Sequence, residues 1–287
     1  MEHEVEDRYG IGALFDAIGD AEWSRLDGDL AGRVAFEIHR RFLGRYLTAG
    51  DRVLEIGAGP GRFTIVLGEL GCTVVATDLS EVQVELNAQR VTATGAEHHV
   101  EEWCRLDVRD LSRFEDGAFD AVVAFGGPLS YVFDDAPSAL SECLRVTKPD
   151  GVVLASVMGL PGSGRRFVES FGPAIEVVGL DAFDAFLEHG DQRVLAEVPG
   201  IHPCRLFAWS DVCSLVSAAG GELAGGSASN WLSLEDESKI VHFEQDPNVW
   251  GRFLDWEERW CSEPGALDGG THTLFAARHP ESDTEFA

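Results

Sequence analysis

The residues best suited to chemistry fall in one stretch, RVLEIGAGPGRFTIVLGELGCTVVATDLS, from Arg52 to Ser80. Glu55, Gly57, Gly59 and Gly61 alternate through a turn, and Asp78 ends the apolar run that follows. A glycine-rich turn between strand and helix, with an acid closing the next strand, is the layout of a nucleoside-type site in a βαβ unit. A dinucleotide cradle is disfavoured, since pyrophosphate needs G-x-G-x-x-G and the third fingerprint position is Arg62. Pro60 also removes one amide from the turn. No G-K-[ST] is present for a P-loop.

These residues need a sheet to hold them, and the hydrophobic pattern supplies one. Val53, Leu54 and Ile56 form a short strand, while Phe63, Val66, Leu67 and Leu70 share one helical face that Gly71 stops. A second strand covers 73–77, and Leu79-Ser80-Glu81 starts a helix through Leu86 and Val91. A third strand over 101–106 leads into Asp107-Val108, and FDAVVAFGGPLSY (119–131) is a fourth strand broken at Gly126-Gly127-Pro128. Asp135 is a candidate cap for a helix reaching Val146, Lys148-Pro149-Asp150-Gly151 reads as a turn, and 152–157 as a buried fifth strand. A helix from Trp209, a strand within 222–234, a helix over 247–261 and a last strand over 271–277 complete the series. Strands alternating with helices predict a parallel sheet covered on both faces.

Two regions depart from that rhythm. Residues 1–50 read as helices: Leu14, Phe15 and Ile18 share a face, Trp23 and Leu26 start another, and a longer helix runs from Val34 to Leu47. Its aromatics, Tyr9, Phe15 and Trp23, suit either the underside of a lid or plain packing. In 159–205, PGSGRR reads as a flexible connection and 167–186 as helical, an insertion or cap over the carboxyl ends of the strands, where doubly wound sheets bind ligands. The expected segments are therefore a helical lid (1–50), two parts of the sheet (51–158 and 206–279), the cap between them (159–205) and a polar tail (280–287).

Composition narrows the partners. A chain of 287 residues, 45% of them hydrophobic, can build a sizeable core. Fifty acids against 22 bases give a net charge of −28, which repels nucleic acid and anionic membranes. The acidic start MEHEVEDRYG is no signal peptide and no run of eighteen apolar residues occurs, so a soluble cytoplasmic protein with a small-molecule substrate is expected, a homodimer being left open. The six cysteines are scattered without a C-x-x-C pair and read as reduced packing thiols, and no metal site is expected.

With these stations placed, the sheet from 52 to 278 resembles class I S-adenosylmethionine (SAM)-dependent methyltransferases, more narrowly the small-molecule group that includes the ubiquinone/menaquinone-type enzymes. The resemblance rests on Glu55, Gly57, Gly59 and Gly61, on Asp78 and Asp107, on the 119–131 tract, and on LRVTKPDGVVL leading into the fifth strand. It implies a Rossmann-like fold, a doubly wound and mostly parallel seven-stranded α/β sheet. It also implies SAM as cofactor, released as S-adenosylhomocysteine (SAH). By that likeness Glu55, Gly57, Ala58, Gly59 and Gly61 lie along the methionine portion, Asp78 and Leu79 at the ribose, Asp107 and Val108 at the adenine, and Phe125 and Gly126 where donor meets acceptor. A carboxylate suits the ribose, being acceptor-only against two donors. One departure is Gly126-Gly127-Pro128-Leu129 in place of the tetrad used for exocyclic amines, which argues against an adenine or glutamine amide as substrate.

Methyl transfer is an in-line displacement with a neutral leaving group, so alignment and desolvation dominate, and a base is needed only where the acceptor must lose a proton. Candidate bases are His202, Tyr131 and His272; His202 reads equally as a turn histidine beside Pro203, and His272 as a structural residue of the last strand. Trp23, Ser130, Tyr131, His202 and Arg205 are the candidate acceptor-binding residues. Two further function classes remain, a SAM-fold enzyme with non-methylating chemistry such as a cyclase, and a non-catalytic SAM-binding protein.

Overall fold

Residues 7–24, 28–234 and 237–280 are described in the computed structural model of the chain. Leu26 and the tail beyond residue 280 lie outside them. The chain opens with three helices, α1 (Ile11–Ile18), α2 (Ala21–Ser24) and α3 (Leu30–Gly44). Then follow β1 (Arg52–Ile56), α4 (Arg62–Glu69), β2 (Thr73–Asp78), α5 (Glu81–Thr94), β3 (Val100–Arg105) and β4 (Phe119–Ala124). After β4 come α6 (Pro128–Tyr131), α7 (Ala136–Val146) and β5 (Thr147–Gly159), and then α8 (Leu160–Arg166), α9 (Phe171–Val178) and α10 (Leu180–His189). The remainder is β6 (Leu206–Phe207), α11 (Trp209–Ala218), β7 (Glu222–Ala228), α12 (Pro247–Cys261) and β8 (His272–Arg278).

The sheet runs β3-β2-β1-β4-β5-β8-β7, with β6 beside the end of β5. Pairs from β3 to β5 are parallel, and β8 is antiparallel to both β5 and β7. The seven strands of the path match the expected doubly wound fold; the two-residue β6 is an eighth that its length hides in the sequence. Side chains alternate across the strands. Leu54, Val75, Val122, Val153 and Phe275 face α7 and α11, while Val53, Val74, Val123, Leu154 and Ala276 face α3 and α4. Within 1–50, α3 therefore belongs to the covered layer, its Phe42 and Leu43 packed on Val53 and Leu67; α1 and α2 are left to lie over the carboxyl ends of the strands.

Four local expectations change. PGSGRR is not a loose connection: Leu160–Arg166 is helical, with Pro in its first turn, where a missing N–H costs nothing. Lys148 to Gly151 are part of β5, whose pairing with β4 is irregular between Phe119 and Ala121, so the turn-like residues make a bulge instead of a break. The fourth strand stops at Ala124, because Gly126 and Gly127 take φ of 81° and 89° before α6. Asp135 precedes α7 but gives it no side-chain cap, its carboxylate accepting instead from Arg8 Nη1 at 3.0 Å.

The end of β5 is fixed by close backbone contacts. A Cβ at Gly162 would lie 1.9 Å from the Gly270 carbonyl oxygen, so only glycine lets α8 approach the 269–271 turn. That turn is backed by Trp231, and Trp231 is held by Glu257 of α12. Glu257 is fully buried and accepts from the Trp231, Leu232 and Ser233 amides at 2.8, 2.8 and 3.1 Å, and from Ser233 Oγ at 2.6 Å. Replacing Glu257 with Ala strands these buried donors, each at a cost on the order of 1–3 kcal/mol. Glu257→Ala is expected to lose roughly 3 kcal/mol or more of unfolding free energy in urea titration, and a loss below about 1 kcal/mol would contradict this account.

Candidate functional site

One cavity of about 430 Å³ lies at the carboxyl ends of β1, β2 and β4, roofed by α1 and α2. Its floor is the glycine turn, where Gly57, Ala58, Gly59 and Pro60 line it. Gly57 and Gly59 sit at φ of 66° and 52°, left-handed conformations that other residues rarely take. A Cβ on Gly57 would come 2.6 Å from Pro128 Cγ, whereas at Gly59 it would meet no atom within 4 Å. The first glycine lets β1 meet α6; the second leaves open space over the turn.

Asp78 ties this turn to the second strand. Its Oδ2 accepts from the Gly59 amide at 2.8 Å and its Oδ1 from the Ser80 amide at 2.9 Å. Burial still pushes its carboxyl up to about 6, against these hydrogen bonds. A second acid, Glu55, lies beneath the turn and is 2% exposed. Its Oε2 accepts from Thr64 Oγ1 at 2.6 Å; Asn87 Nδ2 in turn donates to Thr64 Oγ1 at 2.8 Å and to the Gly59 carbonyl at 3.2 Å. Burial pushes Glu55 up to about 8, so at neutral pH it is a protonated support for the turn. At the far end, Asp107 is engaged by Arg109, whose amide and Nη2 donate at 2.8 and 2.6 Å. Arg109 also reaches Asp135 at 3.6 Å and lies against the Tyr9 ring at 5.5 Å, so the first described residues close over this end.

The roof is fastened by polar bonds along α5. Ser80 Oγ donates to Asp16 at 2.5 Å, and Gln83 Nε2 donates to the Phe15 and Gly19 carbonyls at 3.0 Å each. Arg62 Nε donates to the Trp23 carbonyl at 2.8 Å, and the Trp23 ring is held between Arg62 and Arg90 at 4.4 Å from each. Opposite the glycine turn, Phe125 packs edge-on against Phe63 and Tyr131 edge-on against Phe15. Tyr131 and Met158 also rest on the cap's own apolar cluster around Phe183, Phe186 and Leu206.

The expected residues divide clearly. The cavity brings together Gly57, Ala58, Gly59, Asp78, Leu79, Asp107, Val108, Phe125, Gly126, Tyr131 and His202. Glu55 and Gly61 do not line it, Glu55 supporting from below and Gly61 starting α4. Ser130 is fully buried and structural: its Oγ accepts from the Met158 amide at 2.9 Å, its carbonyl from the Arg205 amide at 2.8 Å. The Arg205 side chain stacks on Phe207, and Trp23 is taken up by its two arginines. His272 pairs across the sheet with Met158 and stands behind the cavity wall, 6.0 Å from His39, which itself packs on Phe125. The sequence reading missed Glu22, Arg62, Met158 and Ile11 as lining residues. Arg62 had been noted only as a missing glycine; Ile11 precedes the Leu14–Phe15–Ile18 face by helical spacing and was readable.

Residues 53–151 match the family model described as "Methyltransferase domain". In fold, site and domain match the chain is similar to class I SAM-dependent methyltransferases, among them the ubiquinone/menaquinone-type enzymes. The chain is 34% identical to a demethylmenaquinone methyltransferase of Clavibacter sepedonicus, over 39% of the chain and 43% of that protein. It is 30% identical to a ubiquinone biosynthesis O-methyltransferase of Xanthomonas oryzae pv. oryzae (strain PXO99A), over 56% and 61% respectively. The chain thus spans about half the length of the curated relatives it matches. Among solved structures, the [4+2]-cyclase SpnF superposes with a TM-score of 0.59 at 17% identity, covering 96% of this chain and 98% of that one, which shows the fold. Among the described residues no helix is long and apolar enough to cross a membrane.

SAM is the cofactor of this domain class, and the residues present fit it. Open space lies over Gly59, a half-buried carboxylate with spare acceptor capacity faces the cavity, and a second acid stands at the other end. Two pH effects follow. The resemblance puts the ribose hydroxyls at Asp78, where they would call for its ionised form, so SAH affinity measured by calorimetry is expected to be level above pH 6 and to fall as pH drops through about 6. Asp78→Asn should bind SAH roughly tenfold to a hundredfold more weakly at pH 8 and lose that pH dependence. Glu55 has the opposite sign for stability. The unfolded chain releases this proton near 4.5 while the fold keeps it to about 8, so its contribution is full below 4.5 and is lost as pH rises through 8. Glu55→Gln should therefore gain in melting temperature relative to the parent between pH 5 and pH 8; a pH-independent difference would refute the assignment.

Proposed function

We propose that this chain is a SAM-dependent methyltransferase that acts on a small molecule at O, N or C. The observation that carries the reading is the single cavity joining the glycine turn, Asp78 and Asp107 to Phe125, Tyr131, Met158 and His202. The relatives' names, demethylmenaquinone methyltransferase and ubiquinone biosynthesis O-methyltransferase, support a small-molecule acceptor. A net charge of −28 and a partly open, largely apolar cavity support the same acceptor class over nucleic acid.

When bound, SAM supplies an electrophilic methyl carbon on a sulfonium centre. The chain's part is to hold the donor and to desolvate and align the acceptor. Asp78 accepts from the ribose, and Asp107, steadied by Arg109, lies at the adenine end. Phe125, Phe63, Phe15 and Met158 exclude water around the acceptor. His202 is the group we assign to take a proton from an acidic acceptor, imidazole being the commonest general base, with the Tyr131 hydroxyl to orient the same atom. His272 has no part in this assignment. We read α1 and α2 as the lid and 159–205 as the cap that sets the position of Tyr131 and Met158. We leave the homodimer and the cytoplasmic location as expectations.

The cyclase reading draws on the SpnF likeness, which at 17% identity speaks only for the fold. The cofactor-binding set argues against a degenerate, non-catalytic site, and label transfer separates methylation from cyclisation. Incubation with methyl-labelled SAM and a metabolite extract is expected to put label into an extractable small molecule, with His202→Ala lowering kcat by roughly 10²-fold or more and leaving SAH affinity unchanged. Tight SAM binding with no label transferred would overturn methylation.

A further inference from the structure

Two tryptophans stand out from the surface of α12. Trp256 is 49% exposed and Trp260 50%, while Phe253 and Leu254 of the same helix are buried. A helix turns about 100° per residue, which puts Val249, Arg252, Trp256, Arg259, Trp260 and Glu263 in one stripe roughly 100° wide. Glu263 belongs to it because the Ser262 cap keeps near-helical backbone, φ −93° and ψ −5°. All six are exposed, and none lines the cavity. The other sides of α12 are taken. Glu257 and Cys261 are buried with Phe253 and Leu254, and Asp255 and Glu258 pair with Arg41 and Arg45. The stripe has no such cover within the chain. Among the described residues the Arg252 and Arg259 side chains make no hydrogen bond or ion pair, and neither tryptophan ring lies against another ring or a cation. With 50 acids against 22 bases in the chain, two cations left without a carboxylate on one aromatic stripe call for a partner outside it.

Charge and spacing identify that partner. When a helix meets a second copy of itself antiparallel about a two-fold axis, residues equally far from the axis come opposite each other. With the axis between Glu257 and Glu258, Arg252 faces the partner's Glu263 and Trp256 faces the partner's Arg259. Symmetry makes each contact twice: an ion pair towards each end, and a guanidinium over an indole on either side of the axis. The parallel alternative sets Arg252 against its own copy. We infer that the outer face of α12 is the contact of a two-fold homodimer, with Trp256 and Trp260 buried near its centre. Tryptophan and arginine are the residue types that most often dominate an interface. The stripe is apart from the cavity, so the inference stands on its own observations and is independent of the reaction.

Sedimentation of the full chain from about 1 to 100 μM tests it, in roughly 0.3 M salt so that repulsion between two copies of net charge −28 is screened. The parent is expected to pass from one copy to two and to stop there, because an isologous contact closes on itself. Arg252→Glu and Glu263→Arg should each raise the dimer dissociation constant about tenfold or more, and the two together should return it to near the parent value. Trp256→Ser should raise it on the order of a hundredfold. The far-UV circular dichroism of each variant should match the parent, since all three side chains are exposed. A parent that stays monomeric at the highest concentration overturns the homodimer and leaves this face to a different protein. A mass that keeps growing past two copies, or a double variant no tighter than the singles, overturns it as well.

Discussion

The structure turns on one desolvated carboxylate. Asp78 stands at the end of β2 with both oxygens accepting from backbone amides, one from the glycine turn and one from the start of α5. A buried carboxylate is costly unless it is hydrogen-bonded, and these amides meet that need. In doing so they fix the turn against the neighbouring strand. The same group stays suited to ligand hydroxyls, because a carboxylate has more acceptor sites than two amides use. Glu55 and Asp78 thus differ in role through environment alone. Glu55 is buried under the turn with Thr64 as its hydrogen-bond donor and is held protonated, whereas Asp78 faces the cavity with amide donors and ionises more readily.

Everything above that floor depends on the roof being in place. The ties from Ser80 and Gln83 to the first helix start within five residues of Asp78, so the end of β2 and the start of α5 also anchor the roof of the cavity. At the other end Arg109 joins Asp107, Asp135 and the Tyr9 ring into one cluster. The first described residues and the Asp107 end of the cavity are thus tied through one arginine.

The sheet and the cofactor side were legible in the sequence because their signals are local. Apolar runs of period two, Gly57 and Gly59 at a turn, and an acid at a strand end are each set by the backbone they occupy. The acceptor side was poorly legible because its residues meet only through tertiary packing. Ser130 looked like a lip residue from its place after the fourth strand, yet its hydroxyl is used by the Met158 amide. Trp23 looked like a pocket aromatic, yet two arginines flank it. His272 was read from its chemistry, but a strand alternates faces, and this position points to the His39 and Phe125 side of the sheet, behind the cavity. PGSGRR failed differently. Its glycines predict flexibility, whereas Gly162 is required by the close approach of the 269–271 turn.

The contrast between surface and cavity bears on the reaction itself. Fifty acids on the chain create a field that draws a sulfonium cation toward the protein and discourages anions. Inside, the acceptor end is aromatic and apolar, with His202 and Tyr131 as its polar groups near Phe125 and Met158. On the proposed reading an acceptor that arrives neutral crosses the outer field without penalty and gives its proton to His202, an exposed residue on the outer side of the cavity. Transfer of a methyl group from a cation to the resulting anion cancels both charges, and a low-dielectric enclosure favours a step that removes charge. On the proposed reading the acidic exterior and the apolar interior serve one order of events: cation held first, neutral acceptor second, and its proton passed to His202 last.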